Sequence, residues 1–159
     1  MADTKFWLMK SEPHVYGLDA LRRDGSTMWD GVRNYQARNF MRDEMKVGDL
    51  VLYYHSNAKP PGAVGLAKVS SEPYPDPTQF EDDSKYFDPK STPEKPRWIL
   101  IDIAFEAEFP RLVSLQELKE DDDLDGMLVT MKGQRLSIQP VEKRHFERVL
   151  ELAGLAYEI

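Results

Sequence analysis

Residues 29–40 read Trp-Asp-Gly-Val-Arg-Asn-Tyr-Gln-Ala-Arg-Asn-Phe, a run that crowds rings, side-chain amides, two arginines and a glycine together. Flat rings stack on planar heterocycles. Asn and Gln present a donor beside an acceptor, as the edge of a base does, and guanidiniums hold phosphate. The chemistry this mixture suggests is recognition of a nucleotide. Tyr53, Tyr54 and Trp98 add large rings that no helical stripe explains. A single ring is more often packing than ligand contact. Grouped with Arg33, Asn34, Gln36 and Arg38, the rings suit a base extruded from its strand, stacked on its faces and read along its edge.

Other constellations carry less. The histidines, His14, His55 and His145, are scattered and form no metal-ligand spacing. Asp121 to Gly126 (DDDLDG) opens like a calcium loop, but Lys132 stands where the twelfth-position glutamate would complete the shell, so a solvated acidic turn is the better account. Ser56-Asn57-Ala58-Lys59 matches S-x-x-K without its K-T-G partner and lies in a turn. The phosphate loops of triphosphate and dinucleotide sites and the serine-hydrolase elbow are missing from the sequence. With no cysteine there are no disulfides, thiolate metal sites or cysteine nucleophiles. The expectation is therefore no catalytic residue, no cofactor and no metal.

The chain has 159 residues, 41 % apolar and 11 % aromatic, enough for one domain with a buried core. It contains no apolar run of membrane-spanning length and no signal-peptide layout, so a soluble cytoplasmic protein without membrane partners is expected. The net charge of −7 argues against broad attraction to a polyanion. The charge is uneven, however. Residues 1–70 hold ten Lys/Arg against eight Asp/Glu, a balance of +2, and residues 71–159 hold eleven against twenty, a balance of −9. Binding of nucleic acid would have to come from a shaped pocket in the first half.

The elements that would position this pocket follow from periodicity. Phe6 to Lys10 reads as a short strand ended by Pro13, and Leu18 to Arg23 as a short helix. Arg33 to Met45 is expected to be a helix burying Ala37, Phe40, Met41 and Met45, with Arg38 and Arg42 facing outward. Asp49 to Ser56 and Ala63 to Ser70 form a hairpin around Asn57 to Gly62. Residues 71–96, with six of the eleven prolines, are expected to be a long irregular excursion. Arg97 to Phe109 alternates as a strand too long for a small core unless it bends or bulges. Ser114 to Glu117 is a capping box stapled by Val113 and Leu118. Leu128 to Met131 and Arg135 to Gln139 suggest a second hairpin, and Pro140 the first residue of a terminal helix with the stripe Phe146, Val149, Leu150, Ala153, closed by Gly154. Short strands with interspersed helices give an α+β fold around a curved sheet or barrel, expected as one domain over residues 1–159.

Seven segments in order, Phe6 to Pro13 (FWLMKSEP), Trp29 to Asn39, Gly48 to Ser56 (GDLVLYYHS), Tyr74 to Thr78 (YPDPT), Asp88 to Ser91 (DPKS), Pro96 to Trp98 (PRW) and Arg135 to Val141 (RLSIQPV), resemble the EVE domain family. The resemblance spans Phe6 to Gly154. Phe87 departs from the family's frequent tyrosine, and Gly17 from its usual small polar residue. The resemblance implies a PUA-like fold, a small mixed β-barrel with flanking helices, akin to the YTH domains that hold a methylated adenine in an aromatic cage. It also implies a non-catalytic reader of a modified base, chiefly modified cytosine such as 5-methylcytosine in DNA, with modified RNA as the other option.

Carried onto this chain, the matching site positions are Lys10, Ser11, Glu12, Trp29, Arg33, Asn34, Tyr35, Gln36, Arg38, Tyr54, His55, Ser56 and Trp98. In this reading Trp29 and one strand ring stack on the flipped base, and Asn34, Gln36 and Ser11 bond its edge. Arg33, Arg38 and Lys10 hold phosphates; the sequence leaves the oligomeric state open, with a monomer favoured. Two other readings are an enzyme acting on a modified nucleoside, with Glu12 or Asp30 as acid or base, and an interaction module whose acidic excursion, Glu72 to Glu94, binds a protein.

Overall fold

The computed structural model describes residues 4–159. Its framework is a six-stranded sheet in the order β2-β7-β4-β3-β1-β8, built from β1 (Phe6–Ser11), β2 (Ser26–Met28), β3 (Leu50–His55), β4 (Gly62–Val69), β7 (Asp102–Ser114) and β8 (Ile138–Val141). β1 and β3 run parallel, with Phe6 opposite Leu50 and Ser11 opposite His55; the other pairs are antiparallel. A two-stranded ribbon, β5 (Tyr74–Pro75) with β6 (Ile99–Leu100), stands apart. This is the α+β mixed sheet expected, as a half-barrel whose outer strands are β2 and β8.

Successive side chains of a strand point to opposite faces, and β1 and β3 are apolar at nearly every position because both faces are covered. Phe6, Leu8, Leu50, Leu52 and Tyr54 enter one core, against the terminal helix α5 (Lys143–Ala153). Trp7, Met9, Val51 and Tyr53 enter a second core with Leu18, Leu21, Trp29, Ala37 and Met41. Trp29 of the second core also borders a surface cleft. The long strand lies at Asp102–Ser114 and not at the expected Arg97 to Phe109, and it bends where its pairing with β4 shifts register, between Ala63 and Gly65 and between Leu66 and Ala67. The capping box forms at the start of α4 (Leu115–Glu120), and α5 ends on Gly154 at φ 73°, whose N–H bonds the carbonyls of Glu151 and Leu150.

Three further expectations need correction. Leu128–Thr130 is a single 3-10 turn and no hairpin surrounds Gly133; this apolar run is buried as a turn, with Val129 packing beside Met127 and Leu124. Pro140 lies in β8, and α5 starts only after Glu142. The helix expected over 33–45 is a short α-helix, α3 (Tyr35–Asn39), running into a π-helical turn, Phe40–Glu44. That wider turn leaves Phe40 half-buried against Trp7 (5.3 Å), and Arg38 folds inward to donate to the Arg97 carbonyl while Arg42 alone faces solvent. The acidic turn Asp121 to Gly126 begins with a 3-10 turn, and the guanidinium of Arg148 bonds Asp121 at 2.8 Å.

The excursion 71–96 is short on regular elements, yet it is stitched to the body. The buried amide of Gln79 donates to the carbonyls of Asp76 and Trp98 and accepts from Ser91 Oγ and the Trp98 N–H. Trp98 Nε1 in turn donates to Asp88 at 2.8 Å. Among the described residues no helix is long and apolar enough to cross a membrane, and no group of His, Asp and Glu is gathered to hold a metal ion.

Candidate functional site

A cleft of about 700 Å³ opens where β1 ends. One wall is Lys10, Ser11 and Glu12 with α1 (Pro13–Tyr16); another is the end of β2 and the loop Trp29 to Asn34; Lys85 and Tyr86 of the excursion and Ser137 complete it. A larger groove of about 820 Å³ lies at the opposite end of β1, against β8, and none of the expected site residues lines it.

Trp29, 9 % exposed, is anchored by its N–H to the Ile101 carbonyl (3.0 Å) and meets the Tyr53 ring edge-on at 5.8 Å. The Tyr53 and Ser11 hydroxyls both donate to the Tyr16 carbonyl at 2.6 Å, which ties α1 to the sheet. Burial pushes the Tyr53 hydroxyl far above its ordinary pKa, so it remains a donor. His55 Nε2 accepts from the Leu18 N–H at 3.1 Å, which fixes the neutral ring; burial lowers its pKa.

The turn at Gly31 is set from the excursion. Gly31 has φ +80°, and a Cβ there would lie 2.5 Å from the Tyr86 ring, so both the backbone and the space require glycine. Its N–H donates to Asp76 Oδ2 at 2.8 Å, and Arg33 reaches the same oxygen at 3.0 Å. Asp76 is 2 % exposed. Burial opposes its charge, but hydrogen bonds from Thr78, Gly31 and Arg33 outweigh that and hold the carboxyl below its usual range. All five donors of Arg33 are used, on Asp76, Thr78 Oγ1 and the Tyr86 and Val32 carbonyls. Its guanidinium lies 5.4 Å from the Tyr86 ring centre and 5.2 Å from that of Trp98. Tyr35 stacks on Trp98 at 4.8 Å, and Arg38 covers Tyr35 at 4.7 Å.

Of the expected site residues, the cleft gathers Lys10, Ser11, Glu12, Trp29, Arg33 and Asn34. Tyr35, half-exposed, and the exposed Gln36 stand beyond it on α3. Trp98 and Arg38 belong to the stack behind Arg33, and Tyr54 faces the opposite core. His55 and Ser56 serve the wall: Ser56 donates its N–H to the Ser11 carbonyl. The phosphate-holding role expected of Arg33 gives way to a structural one because no donor is left over. Asn34 spends its Oδ1 on capping α3 through the Ala37 N–H, which leaves only its NH₂ for a ligand. Lys10 is the contrasting cation: burial lowers its pKa, its Nζ lies 6.0 Å from the Tyr54 ring centre, and among the described residues no carboxylate pairs with it. Tyr86 and Lys85 went unpredicted; Gly31, a glycine needing space beside a tryptophan, was the visible signal.

A family model described as the EVE domain matches residues 5–152. The chain belongs to the EVE domain family. Human thymocyte nuclear protein 1 is 41 % identical to this EVE domain over 92 % of the chain and 72 % of its own length. A hypothetical protein from Leishmania major superposes with a TM-score of 0.90 at 44 % identity, covering 96 % of each chain. The structure of human THYN1 protein in complex with 5-methylcytosine-containing DNA superposes on this EVE domain with a TM-score of 0.86 at 40 % identity, covering 97 % of this chain and 100 % of that one.

Proposed function

We propose that this chain, acting as one EVE domain, is a non-catalytic reader that takes 5-methylcytosine from DNA into the cleft beside Trp29. The observation that carries this is the near full-length likeness to a human protein whose structure is a complex with 5-methylcytosine-containing DNA. The cleft supports it. A volume of about 700 Å³ accommodates a nucleoside, and the lining combines a tryptophan, the apolar side chains of Val15 and Met28 and the polar groups of Ser11 and Asn34. Lys10, partly desolvated and without a carboxylate partner among the described residues, suits a phosphate beside the base. In a chain of net charge −7, affinity has to reside in such a pocket.

The test compares matched oligonucleotides that differ only in 5-methylcytosine or cytosine at one position, by fluorescence anisotropy at two salt concentrations. Trp29→Ala, and Trp29→Phe as the variant that keeps the fold filled, should weaken binding, the former by about 1 to 3 kcal/mol. Lys10→Gln should reduce the salt dependence. Equal affinity for the two oligonucleotides, with no loss in either Trp29 variant, would overturn the proposal.

A further inference from the structure

Two carboxylates line the cleft, and they differ. Glu12 is occupied: His14 Nε2 lies 3.0 Å from one of its oxygens, and Asn57 Nδ2 lies 3.5 Å from the other. Asp30, among the described residues, receives no hydrogen bond or ion pair from another residue. Its side chain is exposed, but its backbone is tied on both sides. The residue before it is tied through the Trp29 N–H to Ile101, and the residue after it through the Gly31 N–H to Asp76. Burial raises its pKa first, and repulsion from Asp76 adds to the effect; Arg33 and Lys85 face it with opposite charge. Arg33 is already saturated by other acceptors.

A carboxylate accepts hydrogen bonds and donates none. Left bare in a cleft that a base fills, it loses water without compensation, which opposes binding. A base that offers an N–H at that point removes the penalty. Cytosine does so through its exocyclic 4-amino group, a recognised partner of Asp and Glu, whereas thymine carries an oxygen there and repels the carboxylate. The distinction matters because 5-methylcytosine and thymine share the same 5-methyl group. Apolar contacts with Val15 or Met28 cannot separate them, so the edge of the ring has to.

Resting on the reader function above, we propose that Asp30 is the specificity residue of the cleft, accepting from the 4-amino group and so admitting 5-methylcytosine while rejecting thymine. The placement of the carboxylate between two anchored residues, in the cleft and without an outside donor, is what assigns it this part.

The test uses the full chain and oligonucleotides carrying 5-methylcytosine, cytosine, thymine or uracil at one position opposite an abasic site, so that base pairing does not bias the comparison. Wild type should prefer 5-methylcytosine over thymine by about tenfold or more. Asp30→Asn, whose amide can turn to offer either a donor or an acceptor, should collapse that ratio to within about threefold, and Asp30→Ala should do likewise, while both keep the preference for methylated over plain cytosine. If both variants retain the wild-type ratio of 5-methylcytosine to thymine, including by weakening on all four bases in parallel, the assignment of Asp30 is overturned and the reader function stands. If wild type binds all four bases alike, the reader function itself fails.

Discussion

Replacing Gly31 by alanine puts numbers on how closely the cleft loop is built. The change has two costs. Gly31 sits at φ +80°, a left-handed conformation that costs a residue with a Cβ about 1 to 2 kcal/mol. The new Cβ would also lie 2.5, 2.7 and 2.9 Å from three carbons of the Tyr86 ring, against ordinary carbon contacts of about 3.5 to 4.0 Å. The ring must retreat by about 1 Å, and the Arg33 guanidinium stacked on it donates to the carbonyl of the same residue, so the movement disturbs a saturated network. Overpacking of this kind costs about 1 to 3 kcal/mol, which brings the sum to about 2 to 5 kcal/mol. For a chain of this size that lowers Tm by about 4 to 20 °C. Gly126→Ala is the control, with φ +89° and nothing within 4 Å of its Cβ, so it should show the backbone cost alone. Adding Tyr86→Ala to Gly31→Ala should recover the clash component relative to the sum of the single changes. Thermal unfolding followed by circular dichroism measures all five proteins: wild type, Gly31→Ala, Tyr86→Ala, the double change and Gly126→Ala. If Gly31→Ala is no less stable than Gly126→Ala, or the double change shows no coupling, the close contact described here does not exist.

Two further outcomes follow from the same wall. Asp76→Ala leaves the mostly buried Arg33 guanidinium without its counter-charge and should cost about 3 kcal/mol in urea unfolding, the lower end for a broken buried pair because the arginine side chain keeps 22 % exposure. Since the folded protein lowers the Asp76 pKa, its contribution is present above the ordinary carboxylate range and is lost as pH falls through the lowered value; Asp76→Asn should flatten that acid limb. His55 is lowered as well, so its neutral ring contributes fully above its ordinary pKa of 6.5 and the contribution is lost as pH falls through the lowered folded value. His55→Gln keeps an acceptor for the Leu18 N–H and should remove this part of the pH dependence, which persists if the reasoning is wrong.

The regular parts of the fold were legible because their patterns are strong and local. The stripe Phe146, Val149, Leu150, Ala153 is buried as spaced, the Ser114 capping box forms, and the hairpin around Asn57 to Gly62 pairs. Phe6 to Met9 showed a strand, though a solid apolar run says nothing of which ring faces which core. The failures have physical causes. Leu128 to Met131 is apolar because it is buried, and burial does not distinguish a strand from a 3-10 turn over so short a run. The π-helical turn after Asn39 leaves no mark in composition. At the cleft, Trp29, Arg33 and Asn34 could be grouped from sequence because they sit in one local run, whereas Asp76 and Tyr86 meet Arg33 across more than forty residues. A proline-rich excursion reads as irregular and hides that Gln79 ties it down. The one hint was Trp98, a large ring that no helical stripe explains and that had to be covered by something.

The sites of the three tryptophans make the chain its own optical reporter. The Trp7 and Trp98 indoles are buried, each with its N–H held by a carboxylate, Asp49 and Asp88, and neither borders the cleft. Trp29 is the tryptophan that does. A ligand entering the cleft therefore perturbs the emission of Trp29 against a constant background from two shielded indoles, so occupancy is readable from intrinsic fluorescence without a label. The same signal separates ligands seated in the cleft from those bound along β8, where Trp7 would respond instead.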